Sequence, residues 1–218
     1  MSVDSQRGWR KHRDNPKMAP HRPASSLDRS VLSRAVADLR PFRRIIAPVT
    51  VIAAAWAVWV SGPSWTTPAV AVASVGGAAL AVIDARTHRL PNALTYPTTV
   101  ITGLALVAAA IVMDEMGTIG RAALGGLALT AGYLVLHAIS PAGLGLGDVK
   151  LAALVGMLSA WHGWAVFWIA ALAPVILGGF YAIALLLLRR ASPRTAIAFG
   201  PFMVLGLALT LTGTRLLT

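Results

Sequence analysis

Cysteine is absent from this sequence of 218 residues, and charged residues are few. Without cysteine the chain has no disulfide framework, no thiolate metal site and no cysteine nucleophile. Only 12% of the residues are charged, whereas 56% are hydrophobic and the mean hydropathy is +0.70. A soluble domain of this size needs more polar surface. The composition therefore predicts an all-α, polytopic membrane protein.

Acidic residues are scarcer than basic ones, with 8 Asp and Glu against 19 Lys and Arg. Eleven of the 19 lie between Arg7 and Arg44. We interpret residues 1–44 as a basic, largely disordered arm, and the apolar spacing over 27–39 predicts a short interfacial helix in it. A basic arm before a first membrane helix typically means only that the arm stays in the cytoplasm, and binding to anionic lipid or nucleic acid is the alternative. We expect membrane lipid as a partner of the protein, and no nucleic acid.

Residues 45–218 consist mainly of apolar runs, and we interpret them as a transmembrane domain. The runs are continuous rather than alternating, which predicts helices. We expect about seven spans, with six as the alternative, because some runs are shorter than the roughly 20 residues that a bilayer requires. Lys and Arg concentrate in alternate loops, which predicts a cytoplasmic N-terminus. The runs are 45–60, 69–83, 94–113, 119–139, 149–160, 164–188 and 197–211.

Only four acidic residues lie outside the arm, and two of them stand at predicted membrane boundaries. Asp84 ends the second predicted span and Asp148 begins the fifth, so both can lie at the same cytoplasmic depth. Two carboxylates within a few ångströms tend to share one proton. One can then activate a water while the other polarises a carbonyl, as in aspartic proteases. This chemistry needs neither a metal nor another cofactor.

Each of these acids also has a simpler interpretation. Asp148 follows alternating glycines at 143, 145 and 147, and it can cap the helix that follows. Asp84 can pair with Arg86 or Arg89 in the membrane interface. Between the two regions, Pro91 favours a break in the helix, and Asn92 can cap the third span.

Three segments together resemble the signature regions of the type IV prepilin peptidases, which are intramembrane aspartic proteases of the GxGD class. They are Asp84 with the following Leu90-Pro91-Asn92, the segment GLGLGDVKLAAL at 143–154, and IAFGPFMVLG at 197–206. The resemblance covers about residues 69–206. It implies that Asp84 and Asp148 are the catalytic pair, and that Gly145 and Gly147 shape the loop that presents Asp148.

The same resemblance includes Lys150 in the signature. Its ammonium group either favours the charged form of the acidic pair or extends to lipid headgroups. The implied substrates are type IV prepilins, pseudopilins or Flp-type pilins, cut at the cytoplasmic face of the bacterial inner membrane. Because the N-terminal arm is short and has no cysteine, we expect a peptidase without methyltransferase activity. The sequence leaves the oligomeric state open.

Two other classes of protein compete with this hypothesis. A small proton- or cation-coupled transporter would use Asp84 and Asp148 as ion-binding groups, and it would place acids near the bilayer midplane. A structural membrane subunit would leave the glycine-rich loop without a chemical role. The order of the three segments favours the peptidase.

Overall fold

The computed structural model describes residues 42–141, 143–189 and 197–217. Regular secondary structure in these ranges is helical, as predicted, and a helix satisfies its own backbone hydrogen bonds in lipid. The predicted interfacial helix and most of the basic arm lie outside the described residues. The helices are α1 (Arg43–Ser61), α2 (Thr67–Thr87), α3 (Asn92–Met113), α4 (Met116–Ile139), α5 (Leu146–Trp161), α6 (Trp164–Leu187) and α7 (Gly200–Leu217).

Six of these helices are long and apolar enough to cross a membrane. The remaining helix, α5, has 16 residues and is about 24 Å long, which is less than the roughly 30 Å of a hydrocarbon core. The prediction of six to seven spans is therefore confirmed, and the short helix α5 is the difference between the two counts. With these helices the chain is an integral membrane protein.

The short helix α5 lies at the centre of the bundle, where protein rather than lipid surrounds it. It packs against α3, α4, α6 and α7, and most extensively against α4. Most of its side chains are buried. A helix that other helices enclose does not have to match the bilayer thickness by itself. This position explains how a short helix can carry a polar residue in its first turn.

Short connections make successive helices antiparallel, so alternate helix ends meet at the same end of the bundle. The end of α2 meets the start of α5, because a Cβ atom on Gly147 would lie 2.8 Å from the Cβ atom of Leu90. At the opposite end, Arg121 in α4 donates hydrogen bonds to the carbonyl oxygens of Ala160 and Trp161 at the end of α5. The helix α5 thus extends between the two ends of the bundle.

Glycine allows α4 and α5 to approach closely. A Cβ atom on Gly125 would collide with the Cβ atom of Ala160 and would lie 2.7 Å from the carbonyl oxygen of Gly156. A Cβ atom on Gly156 would in turn collide with the Gly125 backbone. Membrane helices associate through such small residues, since lipid offers no hydrophobic driving force for association. The contact fixes α5 against α4.

We predict that Gly125→Ala destabilises the purified protein by about 1–3 kcal/mol, because the added methyl group overpacks the contact between α4 and α5. Thermal unfolding in detergent measures the effect as a lower Tm. Gly132→Ala is the matched control, since it lies in the same helix and a Cβ atom there meets nothing within 4 Å. Equal Tm values for the two variants would contradict this account of the packing.

Candidate active site

Asp84 lies in the last turn of α2 and points into the bundle, with only 5% of its surface exposed. Its Oδ2 atom accepts a hydrogen bond of 2.9 Å from the backbone N–H of Gly200, the first residue of α7. Arg86 and Arg89 are exposed instead. The interpretation of Asp84 as one half of an interfacial ion pair is therefore not supported.

Asp148 lies in the first turn of α5 and is 7% exposed. Its Oδ2 atom accepts a hydrogen bond of 3.1 Å from the backbone N–H of Gly145, the residue that caps the helix. Its Oδ1 atom is buried and has no hydrogen-bond partner. Helix capping thus accounts for the Oδ2 atom of Asp148 but not for the Oδ1 atom. Because burying an unpaired oxygen is costly, capping alone does not explain the position of this carboxyl group.

The two carboxyl groups lie close enough to interact electrostatically, although 64 residues separate them in the sequence. Gly147 makes this approach possible, since any side chain there would meet Leu90, six residues after Asp84. Gly145 contributes its N–H group, as described above. The structure therefore brings together Asp84, Asp148 and the two glycines that the sequence associates with them.

Pro91, Asn92 and Lys150 form hydrogen bonds with groups other than the two carboxyl groups. Pro91 is the extended residue that caps α3, and its carbonyl oxygen accepts the N–H groups of Leu94 and Thr95. The prediction that Asn92 caps this helix was wrong. The Oδ1 atom of Asn92 instead accepts a hydrogen bond of 2.8 Å from Lys150 Nζ.

This hydrogen bond gives Lys150 a role that neither sequence interpretation included. The ammonium group also lies 5.5 Å from the centre of the Tyr96 ring, within cation–π range. Lys150 thus links the start of α5 to the start of α3. It connects the two sequence segments that carry the acidic residues.

Sequence reasoning missed three residues of the site. Gly200 was quoted only as part of a motif, whereas its N–H group holds Asp84. His137, in the last turn of α4, has its Nδ1 atom 2.6 Å from the carbonyl oxygen of Leu144. Because a carbonyl only accepts, Nδ1 must carry the hydrogen, and His137 thereby anchors the loop before Asp148. Tyr133 lies one turn earlier in α4, with its ring packed against Phe199.

The arrangement is suited to activating water between two acids. Each carboxyl group has one oxygen held by a backbone N–H group, which fixes its orientation without a flexible side chain. The free Oδ1 atom of Asp148 can accept a hydrogen bond from a water or a bound ligand. Two carboxyl groups that share a proton can then supply a base and an acid at the same place.

The fold and the site define an integral membrane protein of antiparallel helices with a buried pair of carboxyl groups. Over residues 71–183, slightly more than half of its length, the chain matches the model of the type IV leader peptidase family. The chain belongs to that family. The match includes both Asp84 and Asp148 but ends before Gly200.

Several curated proteins named prepilin leader peptidase/N-methyltransferase are similar to the chain. The protein from Stutzerimonas stutzeri is 28% identical over 69% of this chain and 51% of its own length. That from Aeromonas hydrophila is 32% identical over 66% and 48%, and that from Escherichia coli K12 is 39% identical over 58% and 55%. The chain spans about half the length of these relatives. No solved structure matches it.

We predict that a Leu90→Cys, Gly147→Cys double variant forms a disulfide under mild oxidation without any substrate. The two Cβ positions would lie 2.8 Å apart, so a shift of about 1 Å brings them to the separation found in a disulfide, and the natural sequence has no cysteine to compete. Faster migration on a non-reducing gel measures the cross-link. In the control pair Leu90→Cys, Gly143→Cys, the second position neighbours Ser140 instead, and we expect far less product. Equal cross-linking of the two pairs would contradict the described approach of the loops.

Proposed function

We propose that this chain is a membrane-embedded aspartic endopeptidase that removes the leader peptide from type IV prepilins, pseudopilins or Flp-type pilins. Asp84 and Asp148 are its catalytic pair. The observation that carries the proposal is that two buried carboxyl groups from distant helices lie within electrostatic range, each held by one backbone N–H group. Membership of the type IV leader peptidase family and the names of the relatives support the same activity.

The reaction uses the two carboxyl groups with one proton between them. The ionised carboxylate takes a proton from water as the water oxygen bonds to the scissile carbonyl carbon. The protonated carboxyl group meanwhile gives its proton to the carbonyl oxygen, which yields a gem-diol. In the second step the C–N bond breaks, the nitrogen receives the proton taken from water, and a hydroxyl of the gem-diol returns a proton to the other carboxylate. The products are a carboxylic acid and an amine.

The placement of the pair suits a substrate that is itself anchored in the membrane. Both acids lie at helix ends, Asp84 in the last turn of α2 and Asp148 in the first turn of α5. A substrate with a polar leader and a hydrophobic helix would present the bond between them at the same depth. We further propose that this end of the bundle faces the cytoplasm and that the protein resides in the bacterial inner membrane, as the distribution of basic residues predicts.

The transporter hypothesis gains no support from these observations. It requires acids near the bilayer midplane, whereas Asp84 and Asp148 lie at helix ends. The relatives named above are peptidases and methyltransferases. Whether this chain also methylates a substrate stays a prediction from its sequence, which expects no such activity.

We predict that Asp84→Asn and Asp148→Asn each reduce leader removal at least about 100-fold, because an amide can neither take a proton from water nor share one with its partner. The measurement is the gel shift of a co-expressed prepilin with a basic leader. Asp114→Asn is the control, since that acid is exposed at the opposite end of the bundle. Normal cleavage by either Asp84→Asn or Asp148→Asn, with the protein correctly inserted in the membrane, would contradict the proposal.

We also predict that Gly200→Ala slows cleavage about tenfold or more, since small displacements of a reacting group are costly. A Cβ atom there would lie 2.8 Å from Asp84 Oδ2 and would displace the carboxyl group. In the control Gly213→Ala, in the same helix, the new methyl group meets nothing within 4 Å. Initial rates on one synthetic substrate compare the two, and indistinguishable rates would contradict the role given to Gly200.

A further inference from the structure

Tyr133 is a buried polar residue that the mechanism above does not use. It is 3% exposed, and its hydroxyl group is buried without a hydrogen-bond partner. Leaving a buried hydroxyl unpaired destabilises the folded protein, whereas phenylalanine would fill the same space without that cost. Packing alone therefore does not explain a tyrosine at this position.

The residues around Tyr133 are ones that position Asp84 and Asp148. Its ring packs against Phe199 with 6.1 Å between centroids, and the next residue, Gly200, donates the hydrogen bond that holds Asp84. Tyr133 also lies within electrostatic range of Asp148. One turn later in the same helix, His137 anchors the loop before Asp148. The phenol therefore lies among the groups that build the site.

Among the described residues, three buried side-chain polar atoms have no hydrogen-bond partner, and two of them are in this site. They are the Tyr133 hydroxyl and Asp148 Oδ1, while the third, Thr102 Oγ1, belongs to the middle of α3. The phenol offers a donor and the carboxylate oxygen offers an acceptor. Because neither satisfies the other, both are available to a group that enters the site, and a peptide bond with its attacking water offers both partners.

We propose that Tyr133 is a third catalytic residue, whose phenol O–H donates a hydrogen bond to the carbonyl oxygen of the scissile peptide. This inference rests on the proposed peptidase function. Charge develops on that oxygen as water adds to the carbonyl carbon, so the hydrogen bond strengthens towards the transition state. The phenol keeps its proton throughout. A phenol beside a protonated carboxyl group is an effective pair for this task in other enzymes.

Tyr133→Phe tests the proposal, because it removes only the hydroxyl group. We expect kcat on a synthetic peptide with a basic leader and a hydrophobic helix to fall about 100-fold, as for the loss of one oxyanion donor. We expect KM to change by less than about threefold, because the bond is made chiefly in the transition state. The Tm should stay level or rise, since an unpaired buried hydroxyl has been removed.

Tyr181→Phe is the matched control. Its ring packs against Phe202 at 5.3 Å, as that of Tyr133 packs against Phe199, but Tyr181 is 47% exposed. We expect its kcat to equal that of the natural protein. Unchanged kcat in Tyr133→Phe would overturn the proposal, and so would a lower kcat that comes with a lower Tm, since the hydroxyl would then serve the fold.

Asp148→Asn, assayed alongside, separates this inference from the function on which it rests. If Asp148→Asn is inactive while Tyr133→Phe cleaves at the normal rate, only the role of Tyr133 is wrong. If Asp148→Asn itself cleaves normally, the proposal that Asp84 and Asp148 are the catalytic pair is wrong, and the inference about Tyr133 is overturned with it.

Discussion

Two backbone N–H groups, those of Gly145 and Gly200, determine where the buried carboxyl groups lie. A carboxyl group inside a membrane protein is costly unless it is hydrogen-bonded, and side-chain donors would add their own flexibility. A backbone N–H at a helix start is free of the intrahelical ladder and is already fixed in space. The starts of α5 and α7 each offer one such donor, and the chemistry of the site depends on their positions.

The rest of the bundle positions those two helix starts. Glycine contacts fix α5 against α4, while Gly147 lets the start of α5 meet Leu90 after the end of α2. Lys150 then links α5 to Asn92 at the start of α3, and His137 anchors the loop that leads into α5. The motif residues Gly147 and Lys150 therefore position the start of α5, which carries Asp148.

Much of this architecture was predictable because membrane helices appear in the sequence as long runs of hydrophobic residues. The apolar runs indicated the helices, and the scarcity of acids singled out Asp84 and Asp148. The family resemblance also implied that Gly145 and Gly147 shape the loop that presents Asp148. The sequence did not show that α5 begins at Leu146, so that Asp148 lies within its first turn rather than before it.

The contacts that sequence reasoning missed join residues far apart in the chain. The hydrogen bond from Gly200 to Asp84 spans 116 residues, and no local pattern encodes it. Asn92 was expected to cap α3 because its residue type favours that position. Pro91 occupies the cap position instead, and the Asn92 side chain accepts a hydrogen bond from Lys150. Tyr133 and His137 stand out only once α4 is known to face the site, since each has mostly apolar neighbours in the sequence.

The central claim is that the two carboxyl groups already form a pair before substrate binds. An experimental structure of the substrate-free chain in a lipid nanodisc, at a resolution that shows ordered water, tests it most directly. The account predicts Asp84 on the Gly200 N–H, Asp148 on the Gly145 N–H, and a water that contacts both carboxyl groups. Carboxyl groups that face separate environments, with helix α5 or lipid between them, would contradict it.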